Sequence, residues 1–203
     1  MSLTLLIILL AVTIVLLVAE HRSGHRPLAL DLKMKGDIKR ESWWLQQYGQ
    51  AVCTPVAGLL IWELDPVDSG NKAITVIASV ALTSFVCGVL KRLFGRVRPL
   101  RDNAGKFLGP TFRLHGSHHQ SFPSSHAAGA VALTTALTLL YPHGWTTFWL
   151  LAILCAVLRY VLDAHWPSDI VAGATTGYVV AHAGFFIVPP IFNLIYHFVL
   201  GYL

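Results

Sequence analysis

Six long apolar runs leave this chain few ways to fold. They lie at residues 3–19, 46–62, 73–90, 123–141, 145–159 and 167–188, with polar segments between them. About twenty apolar residues match the hydrocarbon thickness of a bilayer, and a helix satisfies its own backbone donors and acceptors without water. Charged side chains make up 12% of the chain, against roughly 25% in soluble domains. We therefore expect an all-α integral membrane protein: a single domain over residues 1–203 with six transmembrane helices. The first run lacks a basic start and ends in a poor cleavage site, Leu17-Val18-Ala19, so it reads as a retained span. Pro189 and Pro190 should kink or stop the sixth helix, leaving 189–203 as a kinked continuation or an interfacial tail. Cys53, Cys87 and Cys155 all sit in apolar runs, which suits small packing residues.

Six spans place the 20–45 connector, the 91–122 loop and the 159–166 turn on one membrane face. Fourteen of the 15 Lys and Arg residues fall there, and only Lys72 falls opposite. The connector carries six of them, followed by Trp43 and Trp44. It reads as a surface-lying segment with its Trp pair at headgroup level, or as a basic collar for anionic lipid.

Three stretches on that face carry ionisable residues at helix ends, where they are costly and often functional. Residues 91–99 read KRLFGRVRP, 123–126 read PSSH, and 159–169 read RYVLDAHWPSD. Lys91 or Arg159 alone would read as snorkelling to the headgroups; their convergence points to a shared site. Pro123 suits the first position of a helix, which would turn the N–H groups of Ser124 and Ser125 toward an anion at the positive end of the helix dipole. Their hydroxyls add donors, and Lys91, Arg98 and Arg159 add full positive charge, giving a cradle for a tetrahedral oxyanion. His165 and Asp169 are four apart. The carboxylate is expected to accept from one ring nitrogen and leave the other free to attack phosphorus. His126 supplies a second imidazole, suited to protonating a departing oxygen and then to taking a proton from water.

These stretches fit K-x6-R-P, P-S-x-H and R-x5-H-x3-D. In identity, order and approximate spacing the chain resembles the type 2 phosphatidic acid phosphatase superfamily, over motifs spanning residues 91–169. The resemblance implies six spans with the active site at one interface. It implies metal-independent hydrolysis, without a cofactor, of a phosphomonoester or terminal phosphate from a membrane lipid, through a phosphohistidine. It makes His165 the nucleophile, Asp169 its partner and His126 the acid, with Lys91, Arg98, Ser124, Ser125 and Arg159 binding phosphate. The sequence departs from the family's pattern at Ser125, where Gly is usual, and at Leu158, where Ser is usual. The first departure leaves a backbone N–H in place; the second removes one potential hydroxyl contact.

Two other readings stand beside this one. His115, His118 and His119 form a mixed-spacing cluster that suits either a metal site or polar loop residues. A non-catalytic lipid-phosphate binding or transport protein would use the same scaffold. The partners expected are the bilayer and a lipid phosphate such as phosphatidylglycerol phosphate, phosphatidic acid, a polyprenyl diphosphate or lipid A, with no nucleic acid. The expected location is a bacterial cytoplasmic membrane. The charge bias puts the basic face inside, whereas the resemblance puts the site on the extracytoplasmic face, which is the side we expect.

Overall fold

The structure, a computed structural model, describes residues 3–24, 30, 36–50, 52–110 and 117–200. Its helices are α1 (Leu3–Arg22), α2 (Gly36–Gln46), α3 (Cys53–Leu64), α4 (Ser69–Phe94), α5 (Ser125–Leu140), α6 (Trp145–Val161) and α7 (Pro167–Leu200). Among the described residues the only β pairing is an isolated bridge between Arg96 and Phe107. Among the described residues four helical segments are long and apolar enough to cross a membrane: Leu3–Arg22, Ser69–Phe94, Pro142–Val161 and Pro167–Phe198. Two more apolar helices, Cys53–Leu64 and Ser125–Leu140, are shorter.

The second apolar run differs most from expectation. Instead of one helix over 46–62, α2 ends at Gln46, a 3-10 turn covers Gln47–Gly49, and α3 begins at Cys53. Two local causes are visible. Pro55 lacks an N–H and fits the first turn of a helix, which suits a start at Cys53. Gly49 is drawn so deep into the bundle that a Cβ there would stand 2.2 Å from the His126 carbonyl oxygen and 2.8 Å from Cys155 Sγ.

The bundle is built around α5, whose residues Ala127 to Leu137 are all buried. Their small side chains let neighbours come to backbone contact. Gly173 and Gly177, four apart on α7, face the Ser124 and Ala128 carbonyls; a Cβ at either would lie 2.4 or 2.2 Å from those oxygens. This is the close crossing that small residues permit in membranes, where dispersion and polar contacts replace the hydrophobic drive. Ile61, Val76, Val80, Leu133, Leu137 and Ala181 complete one core cluster. Large apolar side chains such as Ile14, Trp62, Phe85, Ile153 and Phe186 face outward. Cys87 and Cys155 are buried free thiols and Cys53 is half-buried.

α7 is longer than expected. It runs through Pro189 and Pro190 to Leu200, so residues 189–200 continue the helix. Each proline removes one backbone donor, and membrane helices tolerate such losses when local adjustment satisfies the freed carbonyls. Ile191, Leu194, Ile195 and Phe198 along this stretch are exposed apolar residues, as a bilayer-facing helix requires.

Candidate active site

Four helix ends and one loop converge. α4 delivers Lys91 in its last turn and then stops at Gly95, whose left-handed φ of 55° closes the helix with an N–H bond to the Lys91 carbonyl. The Lys91 ammonium donates to the Gln120 carbonyl at 2.6 Å. The loop that follows carries Arg98, with its N–H bonded to the His118 carbonyl at 2.9 Å. α6 delivers Arg159 in its last turn, where the guanidinium donates to the Gln46 side-chain oxygen. His126 lies in the first turn of α5, with its Nε2 2.5 Å from the Gln50 amide nitrogen. Lys91, Arg98, His126, Arg159 and His165 lie close enough to act on one another electrostatically.

The PSSH stretch is placed differently from expectation. Pro123 stands outside the helix, Ser124 is the N-cap, and Ser125 is the first helical residue. The Ser124 N–H does not face an open anion site; it donates to the Asp169 carbonyl at 2.9 Å. The Ser124 hydroxyl oxygen accepts from Ala127 N–H at 3.5 Å, the usual role of a capping serine. The α5–α7 crossing brings these two helix starts together, so capping and site assembly share one contact.

His165 is buried, and its Nδ1 lies 2.8 Å from the Ser121 carbonyl oxygen. The expected direct bond to Asp169 is absent: Oδ2 stands 3.8 Å from Nδ1, beyond hydrogen-bonding range. Ser121 is the intermediary. Its hydroxyl donates to Asp169 Oδ2 at 2.5 Å and lies 3.5 Å from His165 Nδ1. A carbonyl accepts only from a protonated ring nitrogen, so Nδ1 carries the proton and Nε2 keeps its lone pair. Burial above all, with the positive charges of Lys91 and Arg98, pushes the His165 pKa down to about 4. The ring is therefore neutral near pH 7.

Asp169 is the centre of a buried network that sequence reading did not reveal. It accepts from Trp166 N–H at 2.9 Å and from Arg96 at 2.6 Å. Arg96 is fully buried and also donates to Ser168 Oγ at 2.7 Å and to Glu20 at 2.8 Å. Glu20, at the end of α1, accepts from the Ser168 backbone N–H at 2.8 Å and its hydroxyl at 2.5 Å. The indoles and phenyls of Trp166 and Phe107 flank the guanidinium at 5.6 and 4.9 Å. Buried charges are tolerable when they are paired and hydrogen-bonded; here two carboxylates, the Ser168 hydroxyl and the Gly105 carbonyl surround the Arg96 guanidinium.

The His cluster does not assemble. His115 lies outside the described residues, His118 is exposed, and His119 is half-buried. Among the described residues no three His, Cys, Asp or Glu side chains group closely enough to hold a metal ion. Beside Arg98, a polar cavity of about 490 Å3 opens between Arg101, His118, Asp163 and Ala164.

Apolar helices long enough to cross a membrane, with a cationic cluster around a Ser-bridged His–Asp pair at their ends, define an integral membrane protein with a polar, cationic cluster at one end of its bundle. Residues 72–192 match the PAP2 superfamily, and the chain belongs to that family. It is similar to a lipid A 1-phosphatase of Rhizobium etli, 33% identical over 103 residues, covering 50% of this chain and 44% of that protein. It also resembles an undecaprenyl-diphosphatase of Sulfolobus acidocaldarius, 32% identical over 141 residues, 66% of this chain and 63% of the other. The matched stretches thus span less than two thirds of either relative's length. In fold it is similar to a crystal structure of a transmembrane PAP2-type phosphatidylglycerolphosphate phosphatase from Bacillus subtilis. The TM-score is 0.64 at 18% identity, over 94% of this chain and 96% of the other.

Proposed function

We propose that this chain hydrolyses a phosphomonoester or terminal phosphate of a membrane lipid, without metal, through a phosphohistidine on His165. The observation that carries this reading is the 2.8 Å contact of Nδ1 with the Ser121 carbonyl, which leaves Nε2 as the nucleophile. In the first step the Nε2 lone pair forms the N–P bond, and the bond from phosphorus to the lipid oxygen breaks. His126, which takes up a proton when the anionic phosphate enters the site and displaces the Gln50 amide, gives that proton to the departing oxygen. In the second step water attacks phosphorus, His126 takes the water's proton, and the N–P bond returns its electrons to His165. Inorganic phosphate leaves. Lys91, Arg98 and Arg159, with the Ser124 and Ser125 hydroxyls, bind the phosphoryl oxygens and stabilise the charge that builds on them.

α3 and α5 complete a six-span arrangement with α1, α4, α6 and α7, and the site lies at the extracytoplasmic interface of a bacterial cytoplasmic membrane. The 490 Å3 cavity beside Arg98 gives the polar headgroup room. The names of the relatives support lipid A and polyprenyl diphosphates as the first substrates to try. The test is phosphate release by purified protein, with chelator present, from lipid A, phosphatidic acid, phosphatidylglycerol phosphate and undecaprenyl diphosphate, with His165→Ala alongside. Release that survives chelator and vanishes in the variant is expected. No release from any of them would favour a binding or transport role, and loss on chelation would restore a metal. Labelling of single cysteines introduced at positions 24 and 70, in intact cells, reads the sidedness.

A further inference from the structure

Glu20 lies outside the matched family region, on a helix that otherwise buries only Thr13. Yet its carboxylate is 1% exposed and bound to Arg96 and Ser168 at 2.8 Å or less. We propose that Glu20 is a positioning residue for phosphoryl transfer: it offsets the charge of Arg96, so that the network around Asp169 presents a net negative charge to His165. This deepens the function proposed above and rests on it.

Glu20 and Asp169 are two carboxylates around one guanidinium, and all three are at most 1% exposed. The cluster carries one net negative charge, with Asp169 Oδ2 3.8 Å from His165 Nδ1. When Nε2 bonds to phosphorus the ring retains its Nδ1 proton and becomes cationic. Lys91 and Arg98 face the same ring and oppose that change. A negative cluster behind the ring counters them, and water does not screen it there. Without Glu20, Arg96 and Asp169 form a closed neutral pair, 2.6 Å apart, and the field at the ring largely disappears. Arg96 has its own task, because it orients the Asp169 carboxylate. Glu20 permits that grip without cancelling Asp169.

The same contacts also peg α1 to the bundle, so the experiment must separate charge from structure. Full-length wild type, Glu20→Gln, Arg96→Gln and the double variant are compared in detergent, with dioctanoyl phosphatidic acid and farnesyl diphosphate as substrates. Size exclusion and thermal melting check folding. Glu20→Gln keeps shape and removes one negative charge; we expect kcat to fall about 10- to 100-fold. KM should stay within about twofold, because Glu20 does not touch substrate. Rapid-quench labelling should show correspondingly slower phosphohistidine formation. The double variant restores the net charge of minus one, so its kcat should recover at least severalfold over Glu20→Gln. A merely structural role predicts a double variant no better than the worse single one. A folded double variant below both singles overturns the inference, as does Glu20→Gln with wild-type kcat. If Glu20→Gln alone does not fold, the double variant still decides: kcat within about tenfold of wild type supports the charge argument, and a loss beyond a hundredfold overturns it. No turnover or phosphohistidine in wild type would overturn the proposed function first, and this inference with it.

Discussion

Ser121→Ala separates two links to His165, the proposed nucleophile. The Ser121 carbonyl holds His165 Nδ1 at 2.8 Å, and its hydroxyl holds Asp169 Oδ2 at 2.5 Å. Alanine keeps the first link and deletes the second, so the tautomer survives while the carboxylate loosens. The hydroxyl lies 3.5 Å from Nδ1, too far to contribute much to the ring directly. A hydrogen bond to a charged group is worth about 1.5–3 kcal/mol. Asp169 retains Arg96 at 2.6 Å and Trp166 N–H at 2.9 Å, which places the loss at the lower end, about 1.5 kcal/mol. If all of it appears in the barrier, kcat falls about tenfold. His165→Ala, which removes the proposed nucleophile, should cost orders of magnitude more. The assay is steady-state phosphate release from the best lipid substrate, with Ser121→Thr as the conservative control expected to keep most activity. Ser121→Ala as inactive as His165→Ala would refute the division of labour between carbonyl and hydroxyl, and wild-type kcat would refute the hydroxyl's role.

Two further expectations concern titration and packing. In 15N spectra His165 should remain the neutral Nδ1–H tautomer down to about pH 5. Because its folded pKa of about 4 lies below the ordinary value of 6.5, the unfolded chain binds the extra proton first. Stability should therefore be full above pH 6.5 and fall as pH drops toward 4, by about 3 kcal/mol in all; a ring cationic at pH 6 would refute this. Gly177→Ala places a Cβ 2.2 Å from a backbone oxygen of α5, so α7 must move away. The melting midpoint in detergent should drop by the equivalent of about 1–3 kcal/mol, and activity should fall with it, because the Ser124–Asp169 contact depends on that crossing. An unchanged midpoint would mean the helices do not meet there.

Much of the site could be read in the sequence because its motif residues sit where apolar runs stop. Lys91 and Arg159 close α4 and α6, while His126 and Asp169 lie in the first turns of α5 and α7. Local pattern determines such positions. Local pattern was silent on Glu20, Arg96 and Ser121, whose partners are 44 to 148 residues away. Arg96 lies among the unspecified positions of K-x6-R-P, and a charge between two motif cations looks like surface. A carboxylate directly after the apolar run of residues 3–19 was the available clue to Glu20. Gln46 and Gln50, four apart, were likewise a clue that the second run breaks, and they now contact Arg159 and His126. Pro189 and Pro190 left continuation and an interfacial tail both open, and the helix continues, because proline's cost in a helix depends on surroundings that a sequence does not state.

The Glu20–Ser168 contact also has a meaning in time. Its two ends are separated by 148 residues. At about 5–20 residues per second of synthesis, α1 waits roughly 7 to 30 s before Ser168 and Asp169 exist. Until a partner emerges, the carboxylate must rest at the headgroup level, where water can solvate it. Arg96 emerges about halfway through and is the first partner able to receive it. The surroundings of His165 thus assemble only once α7 begins to emerge, and α1, made well before it, is fastened late.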